Sequence, residues 1–545
     1  MSPLHNTEHD AERVTEHDVE TPREEQPIES TPLLQPPKEE NWKPPPLFIL
    51  IEAAIFSNVF LYGFDSTIIA STYAVISSSF DAANTASWLT TSYLVTSTAF
   101  QPLYGRFSDI FGRRICFFVS TIAFASGCLG CGLARSILEV NIMRALTGFG
   151  GGGLMTMATI VNSDMIPFRK RGMYQALQNA MFGFGSICGA SFGGSIADSI
   201  GWRWCFLIQV PISGIALLLG YLVIRNPQPL SLHPTWKEIR TKVDFTGSLL
   251  LVTAISIQLV GLSLGGNELP WSNGWVVGAL VSSFFLLAAF VWVEANTTAI
   301  PVIPLKQLKG RNPVAIQLTN VCAGTAAYAY LFTLPLLFQV VLLDSATRAG
   351  ARLAIPSLAT PIGGLIAGIV MSRWGKLISL VRLGAVLMTF GNALVTSLSF
   401  HDTKWKYLVY IFPANLGQGI IYPATLFTTL ASFAHSDHAV SASTVYLIRS
   451  LGSVWGVAIT ATIVQNTLSW RLPDALAGVT NKEQIIDDIR HSVTTLHTLP
   501  PDIQLKARLV YYDGIRYSFA ASTGIAAVGI VASLFAYNAG LRNTH

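Results

Sequence analysis

The chain has 545 residues, 51% of them hydrophobic and only 12% charged, with a formal net charge of +4. Soluble domains average about 25% charged residues, so this is an all-α polytopic membrane protein rather than a water-soluble enzyme. The small positive excess is scattered through loops and gives no basic face for nucleic acid.

Residues 1–46 contain eleven acidic residues, four basic ones and nine prolines, and cannot bury a core. They read as a disordered cytosolic tail. Within it, Glu29-Ser-Thr-Pro-Leu33-Leu34 resembles the acidic dileucine signal that vesicle adaptors read, which implies an adaptor as partner. No cleavable signal peptide is expected ahead of the first span, near residue 47.

From there, fourteen apolar runs follow, each near the length needed to cross a hydrocarbon core of about 30 Å. They lie near 47–77, 85–104, 115–134, 137–160, 173–197, 205–224, 245–265, 274–293, 313–341, 353–371, 381–399, 407–431, 442–465 and 515–540. In the first, Asn58, Tyr62 and Asp65 share one helix face. An ionised carboxylate in lipid is costly, so Asp65 must face a cavity, meet a partner or carry a proton. Asn58, Tyr62 and Asp65 are candidates to bind a polar solute, with Asp65 either pairing with a cationic solute and exchanging protons or making a helix-packing hydrogen bond.

After the second span comes Gly105-Arg-Phe-Ser-Asp-Ile-Phe-Gly-Arg-Arg114. Gly105 permits close helix approach, Gly112 unusual backbone angles, and Asp109 an interaction with a neighbouring helix N-terminus, while Arg113 and Arg114 mark the cytosolic side. This stretch resembles the signature loop between helices two and three of the major facilitator superfamily. The likeness implies two six-helix halves, and a duplicated pathway of the kind secondary transporters use.

In the third span Cys128-x-x-Cys131 lacks a second pair and reads as packing rather than metal or redox chemistry. The fourth carries Arg144 and then Thr147-Gly-Phe-Gly-Gly-Gly-Gly153. No strand precedes these glycines, so they read as helix-contact residues and not as a dinucleotide fingerprint. Arg144 matches the superfamily's fourth-helix arginine, which implies proton coupling; a purely structural charge is the alternative. In the fifth, Gly185, Gly189 and Gly193 form a smooth seam resembling the antiporter motif, although Ala190 stands where that motif has proline. Gln175, Gln178 and Asn179 precede the seam and are placed to line a cavity. Trp202, Trp204, Trp271 and Trp275 read as aromatic anchors at the far interface.

The seventh and eighth spans read as a linker pair between the halves. Asn320 and Tyr328 follow in the ninth span, and Asn415, Gln418 and Tyr422 on one face of the twelfth; these suit either a polar solute or interhelical hydrogen bonds. Arg373-Trp-Gly-Lys376 looks like a worn copy of the signature loop. Arg449, in the thirteenth span, reads as packing or gating. The excess of Lys and Arg on one set of loops, including Arg169-Lys-Arg171, places both termini in the cytosol. The domains expected are a tail (1–46), an N-terminal half (47–224), a linker (225–312), a C-terminal half (313–540) with a far-side loop at 466–514, and a short end (541–545).

Phe64-Asp-Ser-Thr-Ile-Ile69 and Trp202-Arg-Trp-Cys-Phe-Leu-Ile-Gln-Val-Pro211 resemble the fourteen-span drug:proton antiporters. Ala99-Phe-Gln-Pro-Leu-Tyr-Gly-Arg-Phe-Ser-Asp109 and Ser163-Asp-Met-Ile-Pro-Phe-Arg-Lys-Arg-Gly172 are most similar to fungal vacuolar basic amino acid transporters. The resemblance implies proton exchange for lysine, arginine or histidine at the vacuolar membrane. No P-loop, serine elbow, metal cluster or carboxylate pair is present, so the expectation is a monomer without cofactor, driven by a proton gradient. The rival expectations are a plasma-membrane exporter of drugs or cations and a non-transporting nutrient sensor.

Overall fold

A computed structural model describes residues 44–80, 88–224, 244–265, 269–297, 301–303, 308–344, 346–433, 437–479, 481–491, 496 and 498–537. Glu29, Leu33 and Leu34 fall outside the described residues, as do 225–243 of the linker and 541–545. From Pro44 onward the chain clusters as one compact unit.

The described residues are helical almost throughout. The first group is α1 (Phe48–Ser78), α2 (Trp88–Phe111), α3 (Arg113–Leu133), α4 (Ile137–Met165), α5 (Phe168–Ser199), α6 (Arg203–Leu207) and α7 (Gln209–Val223). Then come α8 (Phe245–Leu264) and α9 (Gly274–Asn296). The last group is α10 (Arg311–Leu336), α11 (Ala346–Ser357), α12 (Ala359–Trp374), α13 (Leu377–Thr396), α14 (Lys404–Val409), α15 (Phe412–Leu430), α16 (His438–Ala475), α17 (Lys482–His491) and α18 (Pro501–Leu534).

Among the described residues, eleven helical segments are long and apolar enough to cross a membrane. Helices α2, α4 and α15, of 24, 29 and 19 residues, have crossing length but more polar sequences. They afford these polar residues because they are packed inside the bundle, where Ser97, Thr98, Gln101, Thr156 and Thr425 are buried. Together the two sets account for the fourteen predicted spans. At the other extreme α9 is apolar all round and turns Trp275, Phe285 and Trp292 outward, as a lipid-facing helix does.

Local chemistry sets the breaks. Gly112 alone separates α2 from α3, at φ 91°, a left-handed angle that disfavours residues bearing a Cβ. Gly375, at φ 62°, ends α12, and with Lys376 it separates α12 from α13 in the stretch that reads as a copy of the signature loop. Helix α4 starts on Ser136, whose hydroxyl accepts from Glu139 N, while the Glu139 carboxylate accepts from Arg135 N at 2.7 Å. Pro335 precedes a π-turn at Leu337–Val341, the local adjustment expected where proline removes a helical donor.

Packing groups α1 with α5 and α7, and α4 with α2 and α3. It groups α10 with α16 and α18, and α13 with α15 and α18. Helix α2 meets α16, and α5 meets α11 and α12; the α8–α9 pair rests on α2. The glycine seam is tight: a Cβ at Gly185 or Gly189 would stand 2.3 Å from the Phe60 or Phe64 carbonyl oxygen. The α4 glycines behave alike, with Gly148 against the Tyr93 carbonyl and Gly150 against the Phe124 nitrogen, so they are helix-contact residues.

The 466–514 connection, expected to have some helical character, is mostly helix among its described residues: α16 continues to Ala475, α18 starts at Pro501 and α17 lies between. The cause is a stripe of Leu468, Leu472 and Leu476, all fully buried and packed with Ile489, Leu496 and Val510. Trp202 is a core residue rather than an interfacial anchor: it is 5% exposed and packs edge-on against Phe80 and Phe206. Trp204 and Trp275 are exposed, as anchors are.

Candidate functional site

Asp65 on α1 and Arg144 on α4 meet in the interior, 0% and 1% exposed. One guanidinium nitrogen, Nη1, donates to both carboxylate oxygens, at 2.8 and 2.7 Å. Gln209 on α7 adds a longer contact to Oδ1 at 3.4 Å. Arg144 Nε donates to the Leu89 carbonyl at 3.1 Å, and its guanidinium lies 4.5 Å from the centre of the Tyr93 ring. The two charges singled out in the sequence therefore form a single ion pair with almost every polar atom engaged. Removing either partner would strand the other in a low-dielectric interior.

A second cation lies across the interface. Arg449 on α16, 9% exposed, donates from Nε to Asn320 Oδ1 at 3.1 Å and from Nη2 to the Tyr422 carbonyl at 2.9 Å. Its guanidinium sits 4.1 Å from the Tyr422 ring centre and 5.4 Å from that of Tyr446. Tyr62 of α1 lies within electrostatic reach of both Asp65 and Arg449, and Tyr328 of α10 within reach of Tyr62 and Arg449. Tyr62, Tyr328 and Tyr422 keep part of their surface accessible although they sit deep among the helices. They mark a tyrosine-lined space between α1, α10, α15 and α16.

The other sequence candidates divide. Asn58 shares its face with Asp65 but donates to Thr121 on α3 at 2.9 Å, tying α1 to α3. Gln178 donates to the Ala158 carbonyl at 3.1 Å and joins α5 to α4; Asn179 lies against Gly364 of α12. Asn415 and Gln418 both accept from Tyr330, at 3.2 and 2.5 Å. Asn320 is the polar support of Arg449. Tyr62, Tyr328 and Tyr422 reach the shared space. Sequence reasoning left out Arg449 as a site residue, together with Tyr93, Gln209 and Tyr446, because their partners come from helices far away in the chain.

The signature loop is held by Arg113, which donates to Asp109 Oδ1 at 2.5 Å, Ser108 Oγ at 2.8 Å and Asp164 Oδ2 at 2.7 Å. Asp109 thus serves Arg113 and not a helix N-terminus, because the glycine turn brings the arginine onto the same helix side. Arg114 turns outward onto the Tyr221 ring and its carbonyl. Gly105 is buried in α2. Among the described residues no cluster of three or more His, Cys, Asp or Glu side chains is placed to hold a metal.

A bundle of membrane-crossing helices with a buried, charge-paired centre is the architecture of a secondary transporter. The Major Facilitator Superfamily model matches residues 55–457, and the chain belongs to that superfamily. Over 405 residues it is 49% identical to vacuolar basic amino acid transporter 2 of Saccharomyces cerevisiae, covering 73% of this chain and 85% of the relative. It is 35% identical to the multidrug resistance protein fnx1 of Schizosaccharomyces pombe, covering 88% and 91%. The crystal structure of the human organic anion transporter MFSD10 superposes with a TM-score of 0.57 at 10% identity, over 89% of this chain and 98% of that one, a likeness of fold.

Proposed function

We propose that the chain exchanges protons for basic amino acids, carrying lysine, arginine or histidine from the cytosol into the vacuole as a monomer with both termini cytosolic. The observation that carries this reading is the buried Asp65–Arg144 pair beside a tyrosine-lined space. The 49% identity to a vacuolar basic amino acid transporter supports the substrate class and the membrane.

The geometry revises the simplest mechanism, in which the solute pairs directly with Asp65, since Arg144 already occupies that carboxylate. Coupling works through charge. With Asp65 ionised, it offsets one of the two buried arginines. With Asp65 protonated, both guanidinium charges stand uncompensated, and a further cation in the same low-dielectric space is repelled. Proton and cationic solute therefore exclude one another without touching the same atoms. Arg113 with Asp109 and Asp164 latches the cytosolic ends of α2, α3 and α4 while the halves rock, and Glu29, Leu33 and Leu34 act as the sorting signal.

The test is flux in proteoliposomes with an acidic interior and labelled arginine outside. Saturable, gradient-driven uptake that vanishes in Asp65→Asn is the expected result. Uptake indifferent to the gradient would end the proton-exchange reading. The second reading, export of drug-like cations, is favoured by the 35% identity to a multidrug resistance protein. Transport of bulky amphiphiles in place of arginine would establish it.

A further inference from the structure

Arg449 lacks what the deeply buried Arg144 has in Asp65, a carboxylate partner. Among the described residues no carboxylate meets Arg449; the titratable groups around it are Tyr422, Tyr446, Tyr62 and Tyr328. Its Nε and Nη2 are engaged by neutral oxygens, whereas Nη1 has no hydrogen-bond partner among the described residues. An arginine fixed by Asn320 and two ring faces, with one nitrogen uncommitted, is a preorganised receptor for a carboxylate.

We infer that Arg449 receives the α-carboxylate of the transported amino acid, and that the Tyr62 and Tyr328 rings face its cationic side chain. This rests on the proposed function and deepens it. With Asp65 ionised, the two arginines still leave the space net positive, so a bare cation is poorly received. A basic amino acid brings its own carboxylate to offset Arg449, and its side-chain cation then meets aromatic faces, which attract cations. The site accordingly selects amino acids over carboxylate-free amines of the same charge.

The experiment uses the full chain, purified and reconstituted, and measures equilibrium binding and flux of arginine against agmatine, which lacks the carboxylate, and arginine methyl ester, which masks it. The wild type should bind arginine about 10- to 100-fold more tightly than either analogue, the range expected for charge-assisted hydrogen bonds. In Arg449→Gln, arginine should fall to the level of agmatine while agmatine itself holds or improves, since a repelling charge has gone. Arg449→Lys, which keeps the charge but not the planar fork, should fall between. The wild-type comparison of arginine with its ester stands as an independent arm should Arg449→Gln fail to fold. Equal binding of all three by the wild type, or an equal loss for arginine and agmatine in a folded variant, overturns the inference and leaves transport intact. Arginine that binds selectively but is not carried overturns the transport reading and leaves this one standing. Binding of none of the three overturns both.

Discussion

Replacing Asp65 by Asn is the sharpest perturbation the structure offers. The side chain keeps its shape and loses its charge, leaving Arg144 with neutral partners alone: the new amide oxygen, the Leu89 carbonyl and the Tyr93 ring. Stranding one member of a buried pair costs about 3–5 kcal/mol. Spread over a conformational equilibrium, that is a factor of about 150 to 5,000 against the paired state. A double-mutant cycle isolates the term: Asp65→Asn, Arg144→Gln and the double variant, each followed by denaturation in mixed detergent and by gradient-driven uptake. Each single change should be destabilising, and the double variant less so than their sum, because no uncompensated charge remains. Gradient-driven uptake should be lost in all three. Strictly additive effects, or an Asp65→Asn protein with wild-type stability and uptake, would refute the reasoning.

At the α1–α5 seam, Gly189→Val should abolish correctly folded protein, since its Cβ would stand 2.3 Å from the Phe64 carbonyl oxygen; a monodisperse, wild-type elution profile would contradict this. Arg113→Ala removes two partly exposed ion pairs and should leave folding intact, at a cost of about 1 kcal/mol. Faster hydrogen exchange in 105–116 and 160–166, with slower flux, is the expected signature. At the tip joining α13 to α14, Lys406 and the Ser399 amide both donate to Asp402 and hold its carboxyl below the ordinary value of 3.8. A depressed carboxyl contributes stability above its unfolded value and loses it as pH falls through the folded one. The 397–406 tip should therefore stay protected in a mildly acidic compartment and open only below about pH 3.8, as exchange corrected for intrinsic rates would report.

The membrane spans were legible because apolar length is a local property, and the turns were legible because Gly112 and Gly375 advertise themselves. Helices crossing inside the bundle were legible only by their spacing, since α4 relies on glycine and threonine rather than on hydrophobicity. The extension of α16 was hidden: past the predicted end of the span the buried residues Leu468, Leu472 and Leu476 alternate with Gln465, Asn466, Ser469, Arg471 and Asp474, and one stripe every four residues is lost in the average. Asp65 and Arg144 were each recognisable, but not as partners, being 79 residues apart. Asn58 illustrates the converse. It lies on the face of Asp65 about 10 Å lower along α1, and at that height the neighbour is α3 rather than α4. Arg449 is defined by Asn320, Tyr422 and Tyr62, from three other helices, so no window of sequence could reveal its isolation from acids.

Helix α16 runs for 38 residues, from His438, which meets Arg171, past Arg449 to the packed Leu468 and Leu472. The span from Arg449 to Leu476 is about 40 Å at the helical rise. A rod of that length turns small rotations at its middle into large displacements at its tip: tilting by ten degrees moves the tip by about 7 Å. The cluster around Leu476 and Ile489 is thus a pointer fixed to the helix that carries Arg449. A pair of fluorophores placed there would read, about 40 Å from Arg449, which way the carrier is facing.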